Sequence, residues 1–148
     1  MTVVALLDSN VLVAALVEDH EHYDPSIGLF RTGAPFAVAA HSFAEAYSTL
    51  TRRSERSRYQ FSSASAWAAL ERIRAVVTLY GLTPSQTFDA TRQFAAQGGI
   101  GARLYDKLIG EVAVVHGIST IVTWNVGHLQ SLFPDLVVAT PAEFLESA

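Results

Sequence analysis

The stretch T-V-V-A-L-L-D-S-N-V-L-V-A-A-L, residues 2–16, joins two apolar runs through three polar residues. Val3 to Leu7 is unbroken and apolar, the pattern of a strand buried on both faces of a parallel sheet. It stops at Asp8. Ser9 and Asn10 are helix-entry residues, and Val11 to Leu16 resume the apolar pattern as a helix. A carboxylate therefore stands where a central strand ends and a helix begins, and ligands bind at that end of open α/β sheets. Taken alone, Asp8 reads as a helix cap. A second role requires other carboxylates to converge on it.

The rest of the composition narrows the class. The chain has 148 residues, half of them hydrophobic, which suits one packed domain spanning residues 1–148. Mean hydropathy is +0.26, yet no apolar run approaches the roughly 20 residues needed to cross a bilayer. The first residues lack the basic region and cleavage site of a secretory signal, so a cytoplasmic location is expected. With no cysteine, disulfides, thiolate metal sites and cysteine nucleophiles are excluded. A net charge of −4 argues against bulk-charge binding to polyanions but leaves room for a local basic patch.

Downstream, E-D-H-E-H-Y-D (residues 18–24) reads as a polar connection. His20 and His22 sit there among acids, but their spacing does not suit a helix face, and a solvated loop is expected rather than a metal cluster. Pro25 fits the first turn of a helix over residues 26–31. Phe36 to Ala40 is a second strand, ended by His41-Ser42, and Phe43 to Leu50 follow at helical spacing. Glu45 then falls in the first turn among apolar neighbours, either stabilised by the helix dipole or aimed into a site. Thr51 to Tyr59 holds four of the ten Lys and Arg residues: Arg52, Arg53, Arg56 and Arg58. This run is either a solvated helix end or a phosphate-contacting patch, with Tyr59 and Phe61 available for stacking.

Residues 62–75 form an amphipathic helix, and Val76 to Tyr80 a short strand. Thr83 and Pro84 open another helix, which Gly98-Gly99 ends. The loop G-G-I-G-A-R (98–103) lacks a preceding buried strand and the G-K-[ST] of a phosphate loop. Its glycines lead instead into a helix from Leu104 to His116, with Asp106 in the first turn and apolar residues at both following turns. Ser119 to Trp124 is a fourth strand ending at Asn125, and Leu136 to Val138 a last one. Thr140, Pro141 and Glu143 form a capping box that opens a terminal helix.

Helices alternating with short apolar strands predict a three-layer α/β/α fold around a roughly five-stranded parallel sheet. In such a sheet Asp8, Glu45 and Asn125 share the carboxyl end by topology, and Asp106 joins them only if the fold brings it there. Clustered carboxylates raise one another's pKa unless a cation neutralises them. Sites of Asp, Glu and Asn oxygens suit Mg²⁺ or Mn²⁺, which polarise phosphoryl oxygens and activate water. Metal-dependent phosphodiester hydrolysis is the chemistry these residues favour.

The segments L-L-D-S-N-V-L (6–12), H-S-F-A-E-A-Y-S-T-L-T-R (41–52), G-A-R-L-Y-D-K-L-I-G-E-V-A (101–113) and I-V-T-W-N-V-G-H-L (121–129) together resemble the PIN-domain ribonucleases, and above all the VapC toxins of type II toxin–antitoxin systems. The resemblance covers essentially the whole chain. It implies a five-stranded parallel sheet between helices, Mg²⁺- or Mn²⁺-dependent endoribonuclease activity leaving 5′-phosphate and 3′-hydroxyl ends, a cognate antitoxin that blocks the site, and a homodimer. Asp8, Glu45 and Asp106 match the family's three acids, and Asn125 its Asp-or-Asn position, with Thr123 and Ser9 as supporting hydroxyls. Asp8 and Asp106 are the expected metal ligands. At His128 many relatives carry an aspartate, so a single well-held ion is expected, and Glu111 is not expected to replace the missing acid. Arg52, Arg53 and Arg56 are candidates for RNA or antitoxin contact.

Two other classes fit parts of this pattern. A non-catalytic PIN-like module would bind nucleic acid or protein without holding a metal. A metal-dependent phosphatase would carry D-x-D after the first strand, where this chain reads D-S-N (8–10); a DNA nuclease of similar sheet architecture is the remaining variant.

Overall fold

A computed structural model describes residues 2–53 and 59–148. Five parallel strands form one sheet in the order β3-β2-β1-β4-β5: β1 (Ala5–Leu7), β2 (Phe36–Ala39), β3 (Thr78–Tyr80), β4 (Thr120–Val122) and β5 (Val137–Ala139). Every residue of β1 and β2 is buried, as the continuous apolar runs require. Leu7 pairs with Val38 on one side and Val122 on the other, so β1 is the centre of the sheet.

Side-chain alternation divides the core in two. Ala5, Leu7, Phe36, Val38 and Val122 face one layer, packed against α1 (Ser9–Leu16), α2 (Tyr23–Arg31), α3 (Ala40–Thr51) and α4 (Ser63–Arg74). Leu6, Ala37, Ala39, Ile121 and Val138 face the other, packed against α6 (Leu104–Val115) and α7 (Val126–Leu132). Outside these, α5 (Pro84–Ala96) lies on α6, and α8 (Pro141–Ser147) on α2. The arrangement is the expected three-layer α/β/α fold.

Chain direction reverses at β1: the path first steps outward through β2 to β3, then returns to pair β4 with the other edge of β1. The switch point thus lies between β1 and β4, where Asp8 N–H donates to the Val122 carbonyl at 3.0 Å. The predicted elements differ from those observed mainly at their ends. β1, β3 and β4 are shorter than the apolar runs that contain them, because the neighbouring strands pair only over these residues. α3 begins at Ala40, directly from the strand, rather than at Phe43. Glu45 is therefore in the second turn, beyond the reach of a first-turn dipole interaction.

Two other expectations are corrected. The first concerns solvation: His20 and His22 lie on the expected connection between α1 and α2 but only half-exposed, the His22 ring stacked on Trp124 with centroids 3.9 Å apart and His20 against Tyr59 at 6.2 Å. In the basic run, the Arg53 guanidinium donates to the carbonyls of Gln60 and Phe61 at 2.6 and 3.0 Å. It clamps its own loop, while Tyr59 and Phe61 pack onto the core instead of standing free for stacking. Arg52 is exposed, and Arg56 and Arg58 lie outside the described residues.

Candidate active site

Asp8 follows β1 immediately and caps α1, its Oδ1 accepting from Ser9 N–H at 2.7 Å. Its Oδ2 accepts from the Thr123 hydroxyl at 2.9 Å, across the switch point. Thr123 is fully buried and is held in turn: its Oγ1 accepts from Asn10 Nδ2 at 3.1 Å and from the Asn125 backbone N–H at 3.0 Å. Asn10 closes the junction by accepting from Trp124 N–H at 3.1 Å. The cap that aims Asp8 is thereby cross-braced to the end of β4.

The three acids come together. Burial pushes the Asp8 carboxyl up to about 6 against the pull of its hydrogen bonds to Thr123 and Ser9, and the nearby charge of Asp106 adds to the rise. Glu45 is pushed up to about 7 by burial first, then by the charges of Asp8 and Asp106. A first-turn glutamate under dipole stabilisation would move the other way, so the reading of Glu45 as a side chain aimed into a site is the one that fits. Asp106 is in the first turn of α6, as predicted, and the fold does carry it to the switch point. Asn125 caps α7 through its backbone only. Its exposed side chain has no hydrogen-bond partner among the described residues.

His128, one turn into α7, occupies the place of the missing acid: its Nδ1 pairs with Asp106 Oδ2 at 2.5 Å. Glu111 pairs with Lys107 at 2.9 Å, and the buried Lys107 places its ammonium 5.2 Å from the centroid of the Phe133 ring. Two residues of the site have no place in the sequence reading. Asn10 looked like a helix-entry residue only, although D-S-N puts two oxygen-bearing side chains at one strand end. His41 lies one turn before Glu45, with Nε2 3.6 Å from Glu45 Oε1, and both atoms are buried without a hydrogen bond. The i,i+4 spacing was the available signal. Burial lowers the pKa of His41, so a neutral imidazole faces a carboxyl that is itself hard to ionise.

The donor set tests whether a divalent cation fits. No group of three or more His, Asp or Glu among the described residues is arranged as a metal cage. Mg²⁺ does not need one, because it keeps several waters and uses one or two carboxylates. Mutually repelling acids and an orphaned Glu45 Oε1 are what a cation with bound waters would satisfy. The donor chemistry fits such an ion.

Comparison with known proteins agrees with this fold. A family model described as PIN domain matches residues 5–127. No curated protein sequence matches significantly. Among solved structures, the chain is similar to Mycobacterium tuberculosis VapC20, described as a sarcin-ricin loop cleaving toxin, with a TM-score of 0.69, 16% identity, and 86% of this chain and 94% of that one covered. Rickettsia felis VapBC2, solved bound to a promoter DNA fragment, gives 0.63 at 17% identity over 91% of this chain and 96% of that one. Neisseria gonorrhoeae FitAcB gives 0.60 at 15% identity over 93% and 98%. The likeness to these structures is one of fold, and the match over residues 5–127 spans every acid of the site. By that match the chain belongs to the PIN domain family.

Proposed function

We propose that the protein is a Mg²⁺- or Mn²⁺-dependent endoribonuclease and the VapC-type toxin of a type II toxin–antitoxin system, working with a cognate antitoxin and as a homodimer. The observation that carries the reading is the convergence of Asp8, Glu45 and Asp106 at the switch point of the sheet, where burial and neighbouring charge push the Asp8 and Glu45 carboxyls up. Solved neighbours support the toxin–antitoxin setting, since two of them are a VapBC assembly and a FitAB-type one.

Asp8 and Asp106 would hold the cation, which supplies charge neutralisation and a water of lowered pKa. Ser9 and Thr123 keep the Asp8 oxygens pointed out of the sheet end. Glu45 Oε1, without a hydrogen bond of its own, is the acceptor that orients the attacking water and takes its proton; a group poised near neutrality suits that task. The exposed Asn125 amide is placed to donate to a phosphate oxygen. RNA cleavage by wild type and Asp8→Asn tests the proposal: wild type should cut only with Mg²⁺ or Mn²⁺, and the variant should be at least about 100-fold slower, as for loss of a preorganised charge in a reacting site. Equal, EDTA-insensitive cleavage by both would overturn it.

A non-catalytic binding module is the second reading, favoured by the pairing of His128 with an Asp106 oxygen that a metal site would use. Calorimetry with Mn²⁺ separates the two. Heat of binding lost in Asp8→Asn supports the nuclease, and no binding by wild type supports the module.

A further inference from the structure

Next to the acids, between the end of α5 and the start of α7, lies a cleft of about 410 Å³. Its walls are Phe94, Gln97, Ile100, Arg103, His128 and Leu132. His128 belongs to both places: it lines the cleft while its Nδ1 is tied to Asp106, so the cleft opens directly beside a proposed metal ligand. The tie also keeps the imidazole from swinging in to fill the space.

The lining of the cleft is chemically mixed. Toward α6 stands Arg103, exposed, three residues ahead of Asp106, with no ion pair or side-chain hydrogen bond among the described residues. In a chain of net charge −4, an unpaired guanidinium beside an acidic site is a contact for an anion. The rest of the lining is largely apolar: Phe94 and Leu132 are buried or half-buried, and Ile100 is 82% exposed. Gln97 adds an amide that can both donate and accept.

The loop between them is firmly seated. Gly98 and Gly101 take φ of 77° and 71°, and a Cβ on Gly99 would run into the Phe94 ring. Backbone therefore rests directly on an aromatic wall, which keeps the cleft open. Its volume is within the roughly 300–1,000 Å³ of small-molecule sites, and its mix of an apolar body with a few polar groups is theirs too.

We propose that this cleft is the subsite for the nucleotide flanking the scissile phosphate, with Arg103 on that nucleotide's phosphate, Gln97 at its base edge and Ile100 against its base. The assignment rests on the nuclease reading above. Two measurements test it. In the first, adenosine and uridine 5′-monophosphates are titrated into the ¹⁵N-labelled full chain in EDTA. Amide shifts should concentrate at Gln97 to Arg103 and His128, and Arg103→Ala should weaken binding about tenfold, the effect of one charge-assisted contact.

In the second, Arg103→Ala should raise KM for a short RNA about tenfold with kcat nearly unchanged. The slope of log KM against log salt should drop by about one, and Arg103→Lys should recover part of both. Shifts elsewhere only, or an unchanged KM and salt slope, would overturn the subsite. Wild type that cuts no RNA but shifts these amides sinks the nuclease reading while upholding nucleotide binding in the cleft. Cleavage without those shifts sinks the cleft alone.

Discussion

Thr123 serves three partners with one hydroxyl: it donates to Asp8 and accepts from Asn10 and from the Asn125 backbone. Replacement by Val would remove all three bonds and leave the buried Asp8 Oδ2 without its donor. Thr123→Val should cost about 1–3 kcal/mol in urea unfolding and, by removing a bond that lowers the Asp8 pKa, should weaken Mn²⁺ binding in calorimetry. Thr123→Ser should retain both, and a stable, tight-binding Val variant would contradict the account. The acids themselves make stability depend on pH. Asp8 and Glu45 rise from 3.8 and 4.5 to about 6 and about 7 on folding, so in that range the native protein binds more protons than the unfolded chain. Stability is then full below the unfolded values and is lost as pH rises through the folded ones. In EDTA the protein should be less stable at about pH 8 than at about pH 5, by about 1 kcal/mol from the buried Asp8, since only the part of its shift above about pH 5 falls in this window. Asp8→Asn should flatten the slope. Thermal unfolding across this range checks it, and a profile rising with pH would be the contrary result.

Which helix starts could be read from the chain depends on where their signals lie. Thr83-Pro84 and Thr140-Pro141 are local chemistry, and both helices open with the capping box that their sequences specify. α3 has no such cap. It leaves β2 at Ala40 through an extended Ala39 with no side-chain bond, so neither the start nor the true turn of Glu45 was legible. His41 was hidden for the same reason, since it counts as a helix neighbour of Glu45 only once the helix begins before it. α6 shows the converse, with its apolar period readable but its close approach to α7 not. Gly110 lies against Phe133, the last contact of α7, and a Cβ there would overlap the ring. Gly110→Ala should therefore destabilise by about 1–3 kcal/mol despite the better helix propensity of Ala. Urea unfolding decides, and a stabilised variant would show that the two helices can part freely.

The layered fold was open to reading because each central strand is an unbroken apolar run and each helix carries one apolar face. Asp8 and Asn125 could be placed by topology, since strands that run parallel share their ends. Asp106 could not, because it belongs to a helix between strands and reaches the site only through the packing of α6. The His128 pair was equally closed to sequence, as it depends on the angle between α6 and α7. One consequence follows from the pairing of β1 with β4. Asp8 and its Thr123 partner are 115 positions apart, and contacts of such separation form late and slowly. A chain emerging from the ribosome carries Asp8 and Glu45 long before, and Asp106 shortly before, the strand that braces Asp8. If the finished protein cuts RNA, the order of synthesis itself keeps the blade unassembled until the fourth strand has emerged.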